Sequence, residues 1–233
     1  SCTPTVRALH HIRRHAPVLS EVPRGLVVAV PTTRGLADAG RLPHVRTEAA
    51  MLRGHLPEAV VLLGPDSPGE PIPEDAALPT KDNVLARLPS CPIVHFACHG
   101  HSDPADPSRS RLLLHDHAED PFTVADLQSV RLEGAQLAFL SACRTAVTDV
   151  AELADESIHL ASAFQLVGFP HVIGTLWEIQ DRIAVDVADA FYAALRVLGT
   201  HRAAEALHTA VRSARDRYPR IPSLWAAHLH VGA

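Results

Sequence analysis

Five short apolar runs recur along the chain: "GLVVAV" (25–30) between Pro23 and Pro31, "VVLL" (60–63), "PIVHFAC" (92–98), "QLAFLSA" (136–142) and "HVIGTLW" (171–177). Runs this short that are apolar throughout fit strands buried on both faces. Between them the apolar residues fall at helical spacing. Helices are expected over Val45–Leu56, from the capping Thr80 to Leu88, after the cap Thr123, from Asp155 or Ser157 to about Val167, and over Arg182–Val197 and His201–Arg217. Gly168 and Pro170 close the fourth of these, and Gly199 separates the last two. "LLLH" (112–115) reads as a further short strand, and "IPSLWAAHLHVGA" packs Leu224 and Trp225 against something apolar. Pro65, Pro68, Pro71, Pro73 and Pro79 mark residues 64–79 as a surface loop. Residues 1–24, with "HHIRRHAP", read as a linker or helix remnant ahead of one domain over 25–233. Strands alternating with helices imply parallel strands joined by right-handed crossovers, hence a doubly wound α/β sheet covered by helices on both faces.

Ligands bind such sheets beyond the carboxyl ends of the strands. His99 and Cys143 fall one residue past the expected ends of the third and fourth strands, and neighbouring strands lie only about 4.8 Å apart. A thiolate is a strong nucleophile, and an imidazole beside it can hold the ion pair and then protonate a leaving amine. Gly100, without a Cβ, lets a backbone N–H approach a developing oxyanion, as can the N–H of Cys143. Spacing points to no third acidic member, so the arrangement is read as a dyad. The bland alternative is an inert core cysteine and a histidine that caps its strand.

Composition narrows the classes. A formal charge of −5 without any Lys/Arg block argues against nonspecific binding to nucleic acid or to an anionic membrane. Lys81 is the only lysine among 21 cationic residues, an Arg skew that hints at a GC-rich bacterial genome. No apolar run approaches a membrane span and no signal pattern opens the chain, so a soluble, cytoplasmic protein is expected, cut at Ser1 from a longer polypeptide. Of Cys2, Cys91, Cys98 and Cys143, three lie in or beside apolar runs, which suits reduced thiols.

"IVHFACHG", "FTVADLQSVRLEGAQLAFLSACRT", "LASAFQLVGFPHVIGTLWEIQD" and "AFYAALRVLGTHRAAEAL", in this order, resemble the CHAT domain, a caspase-like and separase-like cysteine peptidase module. The resemblance covers roughly Val60–Val231, and "SLWAAHLHVG" is similar to the family's closing Trp-containing segment. It implies a caspase-hemoglobinase type sheet with His99 and Cys143 as the catalytic dyad, acting on a protein substrate without a cofactor. It also implies a sensor or regulatory module, often helical repeats, in the same polypeptide or a partner. Separases share the "LW-x-x-x-D" pattern, in which an acid receives a basic P1 side chain; carried onto Trp177 and Asp181, this makes Asp181 the specificity acid for Arg or Lys. The chain departs from the family where Glu-Thr-Gly is common after the nucleophile and here reads Arg144-Thr145-Ala146. Arg144 favours thiolate at Cys143, whereas Ala146 restricts the loop. The family's Gly-Glu-Gly stretch is Asp155-Glu156-Ser157 here. These departures keep open a second reading, a non-catalytic caspase-like scaffold that binds a partner along the same edge.

The sequence holds other candidate sites. Cys98, His99, His101, His115 and His117 crowd one region of a chain with 16 histidines. Their spacing fits zinc loosely, and strand alternation sends Cys98 and His99 to opposite faces, so no metal is expected. Asp103 and Asp106 read as turn acids that could rim a cleft, and Glu156, three residues before His159, as first-turn helix charge. "GLADAG" (35–40) lacks the glycine spacing and following lysine of a phosphate loop.

Overall fold

The computed structural model describes residues 24–232, leaving aside 68–69, 71–76, 102, 104, 128, 131, 133, 145–152 and 178; residues 107, 142–144 and 153–159 are described by their backbone alone. Among the described residues, six of eight strands lie side by side in one sheet in the order β2-β1-β3-β6-β7-β8. They are β1 (Gly25–Ala29), β2 (Val60–Leu63), β3 (Ile93–His101), β6 (Leu137–Arg144), β7 (His171–Thr175) and β8 (His228–Gly232). Pairing is parallel from β2 through β7, and β8 runs antiparallel along β7. The short strands β4 (Arg111–Leu113) and β5 (Phe122–Thr123) extend antiparallel from the end of β3.

Among the described residues six α-helices cover the sheet: α1 (Val45–His55), α2 (Lys81–Arg87), α3 (Val124–Leu127), α4 (Leu153–Leu166), α5 (Asp181–Leu198) and α6 (Ala203–Arg217). Strand alternation divides the core accordingly. Val27, Ala29, Ile93, Ala97, Leu137, Phe139 and Ile173 pack under α1, α5 and α6. Leu26, Val28, Val94, Phe96, Cys98, Ala138, Leu140 and Val172 pack on the opposite side, with Val84 of α2, Leu127 of α3 and Phe164 of α4. The expected α/β architecture with helices on both faces is therefore present.

The chain visits β1, steps outward to β2, then crosses back to β3 on the other side of β1. The order reverses there, which opens a crevice at the carboxyl ends of β1 and β3. The loop after β1 and the end of β3 both border it.

Local chemistry behaves as expected at the caps. Thr80 Oγ1 accepts the Asn83 N–H at 3.3 Å, and Thr123 exchanges bonds with Asp126 in a capping box, Oγ1 accepting the Asp126 N–H at 3.3 Å while the Thr123 N–H donates to Asp126 Oδ2 at 2.8 Å. Trp225 Nε1 donates to the Tyr218 carbonyl at 3.1 Å, and Leu224 packs on the α5–α6 core.

Three boundaries differ from expectation. β3 and β6 run on to His101 and Arg144, so His99 and Cys143 stand inside their strands rather than one residue beyond them. The polar end of β3 stays extended because β4 on one side and β6 on the other supply partners for its backbone groups. The closing segment contains a strand, β8, where only apolar packing was expected; His228, Leu229, His230 and Val231 alternate as an edge strand does. α4 begins at Leu153, two residues before the earliest expected start. Residues 1–23, read as a linker, lie outside the described residues.

Candidate active site

His99 sits on the third-last position of β3, 6% exposed. Its Cα partner across the parallel β3–β6 ladder is Cys143, and that of Gly100 is Arg144. The backbones of the two sequence-selected residues thus lie side by side in adjacent strands. Gly100 is also paired with Leu112 of β4, so it has a strand on either side.

The His99 imidazole is oriented by a contact that sequence reasoning did not find. Nε2 lies 3.0 Å from the carbonyl oxygen of Gly40. A carbonyl can only accept, so Nε2 carries the hydrogen and Nδ1 keeps its lone pair in the neutral ring. Nδ1 is buried and has no hydrogen-bond partner among the described residues. In the neutral ring the lone pair is thus at Nδ1, the nitrogen not bound to Gly40.

Gly40 reaches this position through an unusual backbone. Asp38, Ala39 and Gly40 have φ of +49°, +52° and +53°, three successive left-handed residues. The Thr33 N–H bonds to the Ala39 carbonyl at 2.7 Å and the Leu42 N–H to the Pro31 carbonyl at 2.8 Å, folding the loop after β1 back on itself. A Cβ at Gly40 would stand 2.9 Å from Thr33 Cβ and 3.0 Å from Leu36 Cδ1. The "GLADAG" stretch is thus no phosphate loop; its glycine presents a carbonyl to a histidine.

Asp181 opens α5, and its Oδ2 accepts the N–H of His44, the residue before α1, at 2.6 Å. Burial, and then the charge of Glu48, hold its carboxyl above the usual carboxylate range against the opposing His44 amide and the His44 and His99 rings.

The remaining residues weighed above are placed elsewhere. Asp103 accepts the N–H groups of Ala105 and Asp106 at 3.1 and 3.0 Å, and Asp106 Oδ1 accepts the Ser108 hydroxyl at 2.6 Å, so both acids organise their own loop. His117 Nε2 binds the Arg34 carbonyl at 3.1 Å, and burial depresses the basicity of His115. Cys98 packs in the core on the face opposite His99. Among the described residues no three His, Cys, Asp or Glu side chains come together as metal ligands. Glu156 and His159 fall where α4 is described by its backbone alone.

Sequence reasoning also passed over Glu48, His95 and Tyr192, each 1% exposed or less. The signal was available: Glu48 shares the apolar face of Val45, Ala49 and Leu52, and His95 interrupts an otherwise apolar strand.

The architecture is thus a mostly parallel sheet between two helical layers, with a histidine and a cysteine in register at its carboxyl edge. The chain belongs to the CHAT domain family, which it matches over residues 1–233. Solved structures of similar fold include the Arg-specific cysteine proteinase gingipain R (TM-score 0.55, 11% identity, covering 97% of this chain and 50% of that one). The complex of RgpB pro- and mature domains from Porphyromonas gingivalis is also similar (0.53, 10%, covering 90% and 47%). So is the Saccharomyces cerevisiae separase–securin complex (0.54, 15%, covering 97% and 13%). The chain thus spans half or less of the proteins it resembles, and at these identities the likeness concerns the fold. No curated protein matches the chain by sequence. No helix among the described residues is long and apolar enough to cross a membrane.

Proposed function

We propose that the chain is a cysteine endopeptidase acting in a bacterial cytoplasm, with Cys143 as nucleophile and His99 as its acid and base. The observation that carries this reading is the register of His99 beside Cys143, together with the Gly40 carbonyl that leaves Nδ1 of His99 as the basic nitrogen. In the reaction His99 takes the thiol proton of Cys143, and the thiolate attacks the scissile carbonyl carbon. The tetrahedral oxyanion collapses, the C–N bond breaks and His99 returns the proton to the leaving amine. Water, deprotonated by His99, then hydrolyses the thioester and restores the thiol.

The N–H groups of Gly100 and Cys143 are the proposed oxyanion donors. Gly100 stands in register with Leu112 on β4 and Arg144 on β6. The enzyme is gated by a sensor module, in the same polypeptide or a partner. Asp181 is the proposed receptor for an Arg or Lys side chain before the cleaved bond. The Arg specificity in the name of gingipain R and the protein partner of separase support a pocket for a basic side chain and a protein substrate. Arg144 and Ala146, after the proposed nucleophile, favour the second reading, an inactive partner-binding scaffold.

Labelling separates the two. An acyloxymethyl ketone ending in Arg is expected to modify Cys143, and fluorogenic peptides ending in Arg to be cleaved. Both should vanish in Cys143→Ala and fall by about 10²-fold or more in His99→Ala; Asp181→Ala should erase the Arg preference. A Cys143 that reacts with a small alkylating agent but not with the peptide ketone, and no peptide cleavage, would favour the scaffold.

A further inference from the structure

Arg111, on β4, is partly buried. Its Nε is buried and has no hydrogen-bond partner among the described residues. Ion pairs among those residues engage Arg46, Arg109, Arg202, Arg215 and Arg217, but not Arg111. Acids on the flanking segments are taken: Asp103 faces Arg109 at 3.5 Å, Asp106 accepts the Ser108 hydroxyl, and Asp126 binds Lys81 at 2.9 Å and the Thr123 hydroxyl at 2.6 Å. Withdrawing a guanidinium N–H from water without a partner costs stability, and a ligand that pairs with it explains why the group is there.

The place is beside the proposed dyad. The β3–β4 ladder pairs His99 with Leu113 and His101 with Arg111, so Arg111 stands one strand over and two residues on from His99. Leu112 belongs to the core layer of Phe96 and Cys98. Alternation therefore turns Arg111 and Leu113 to the other face of the sheet, which is that of His99. β6 flanks β3 on one side as far as Gly100, and β4 flanks it on the other. Across the carboxyl edge the order is thus Cys143, His99, Arg111, with adjacent strands about 4.8 Å apart.

That order selects one side of the scissile bond. An acid that protonates the leaving amine stands between the nucleophile and the departing half of the substrate. Residues after the cleaved bond therefore run from Cys143 across His99 toward Arg111. Two strand spacings, about 10 Å, are the span of about three extended residues. We infer that Arg111 is a substrate-binding residue for the departing half: its guanidinium pairs with the carboxylate of a Glu or Asp within about three residues after the cleaved bond. This rests on the reading of His99 as the acid beside Cys143. A guanidinium suits the task, because its fixed N–H fork matches a carboxylate and the attraction strengthens away from water.

The test is fluorescence anisotropy of labelled peptides on the full chain carrying Cys143→Ala, where binding is read without turnover. Each peptide holds one Arg and, at the first, second or third residue after it, either Glu or Gln. At one of these positions the Glu peptide should bind about tenfold tighter than its Gln counterpart, the strength of one hydrogen-bonded charge pair. Arg111→Gln on the same background should abolish this preference, while Arg111→Lys should keep part of it. No Glu preference at any position, or one that survives in Arg111→Gln, would overturn the inference.

Stability separates an arginine that binds a ligand from one that holds the fold. With no ion pair to lose, Arg111→Gln should leave the denaturant midpoint unchanged or raise it. A variant that fails to fold, or a midpoint that falls, would make the arginine structural and overturn the inference. A wild-type Cys143 that the Arg ketone does not label would sink the peptidase reading instead, and the Glu preference of Arg111 is decided by binding either way.

Discussion

At the scale of single residues, the proposed dyad depends on a backbone carbonyl as much as on its two side chains. His99 and Cys143 could be picked out because each closes an apolar run with a chemically distinct group. Gly40 could not, since it contributes a carbonyl, which every residue carries, and it lies 59 positions from the ring it orients. Gly40→Ala tests this. An alanine would have to hold φ near +53° with its Cβ against Thr33 and Leu36. The expected cost is about 1–3 kcal/mol of stability, read from a denaturant midpoint. The rate at which Cys143 reacts with a peptide ketone should fall too, because a displaced carbonyl frees the His99 tautomer. Unchanged labelling in a folded Gly40→Ala would remove the carbonyl from the mechanism.

At the scale of elements, periodicity located all five parallel strands and both C-terminal helices, because an apolar run between two helical layers leaves little alternative. It missed where β3 and β6 stop and that β8 exists. Those outcomes depend on which backbone groups find partners, and β4 and β7 provide them from distant parts of the chain. The joint between α4 and β7 offers a test. Gly168 has φ of +127°, and a Cβ there would meet the Leu132 carbonyl at 2.7 Å. Gly168→Ala should destabilise the domain by about 1–3 kcal/mol. A melting temperature unchanged by the substitution would show that this joint gives way without strain.

At the scale of the whole molecule, the histidines of the β7–β8 edge link folding to pH. His171 Nδ1 and His230 Nε2 lie 3.0 Å apart, so one ring must offer a lone pair to the other. Burial lowers His171 to about 4, with His201 adding, and lowers His230 to about 3, with the charge of His171 adding. Both are neutral in the folded edge, while the unfolded chain binds protons below about pH 6.5. Stability is thus fully present above that pH and lost as pH falls toward 4, by about 2 kcal/mol for one such imidazole between pH 7 and pH 5. Denaturant midpoints at the two pH values should show the loss, and His171→Leu should reduce it. An equal pH slope in that variant would assign the effect to other groups.

What the sequence determined by itself was the class of architecture, the order of its elements and the position of a histidine and a cysteine at one edge. Each of these follows from local periodicity and from the rule that parallel strands present their carboxyl ends together. Tertiary structure alone decided the rest: the Gly40 carbonyl on His99, the Asp181 contact with His44, and the hydrogen bonds that join Glu48, His95 and Tyr192. Each of these joins groups far apart in the chain, and their chemistry arises from burial and proximity that no local pattern encodes.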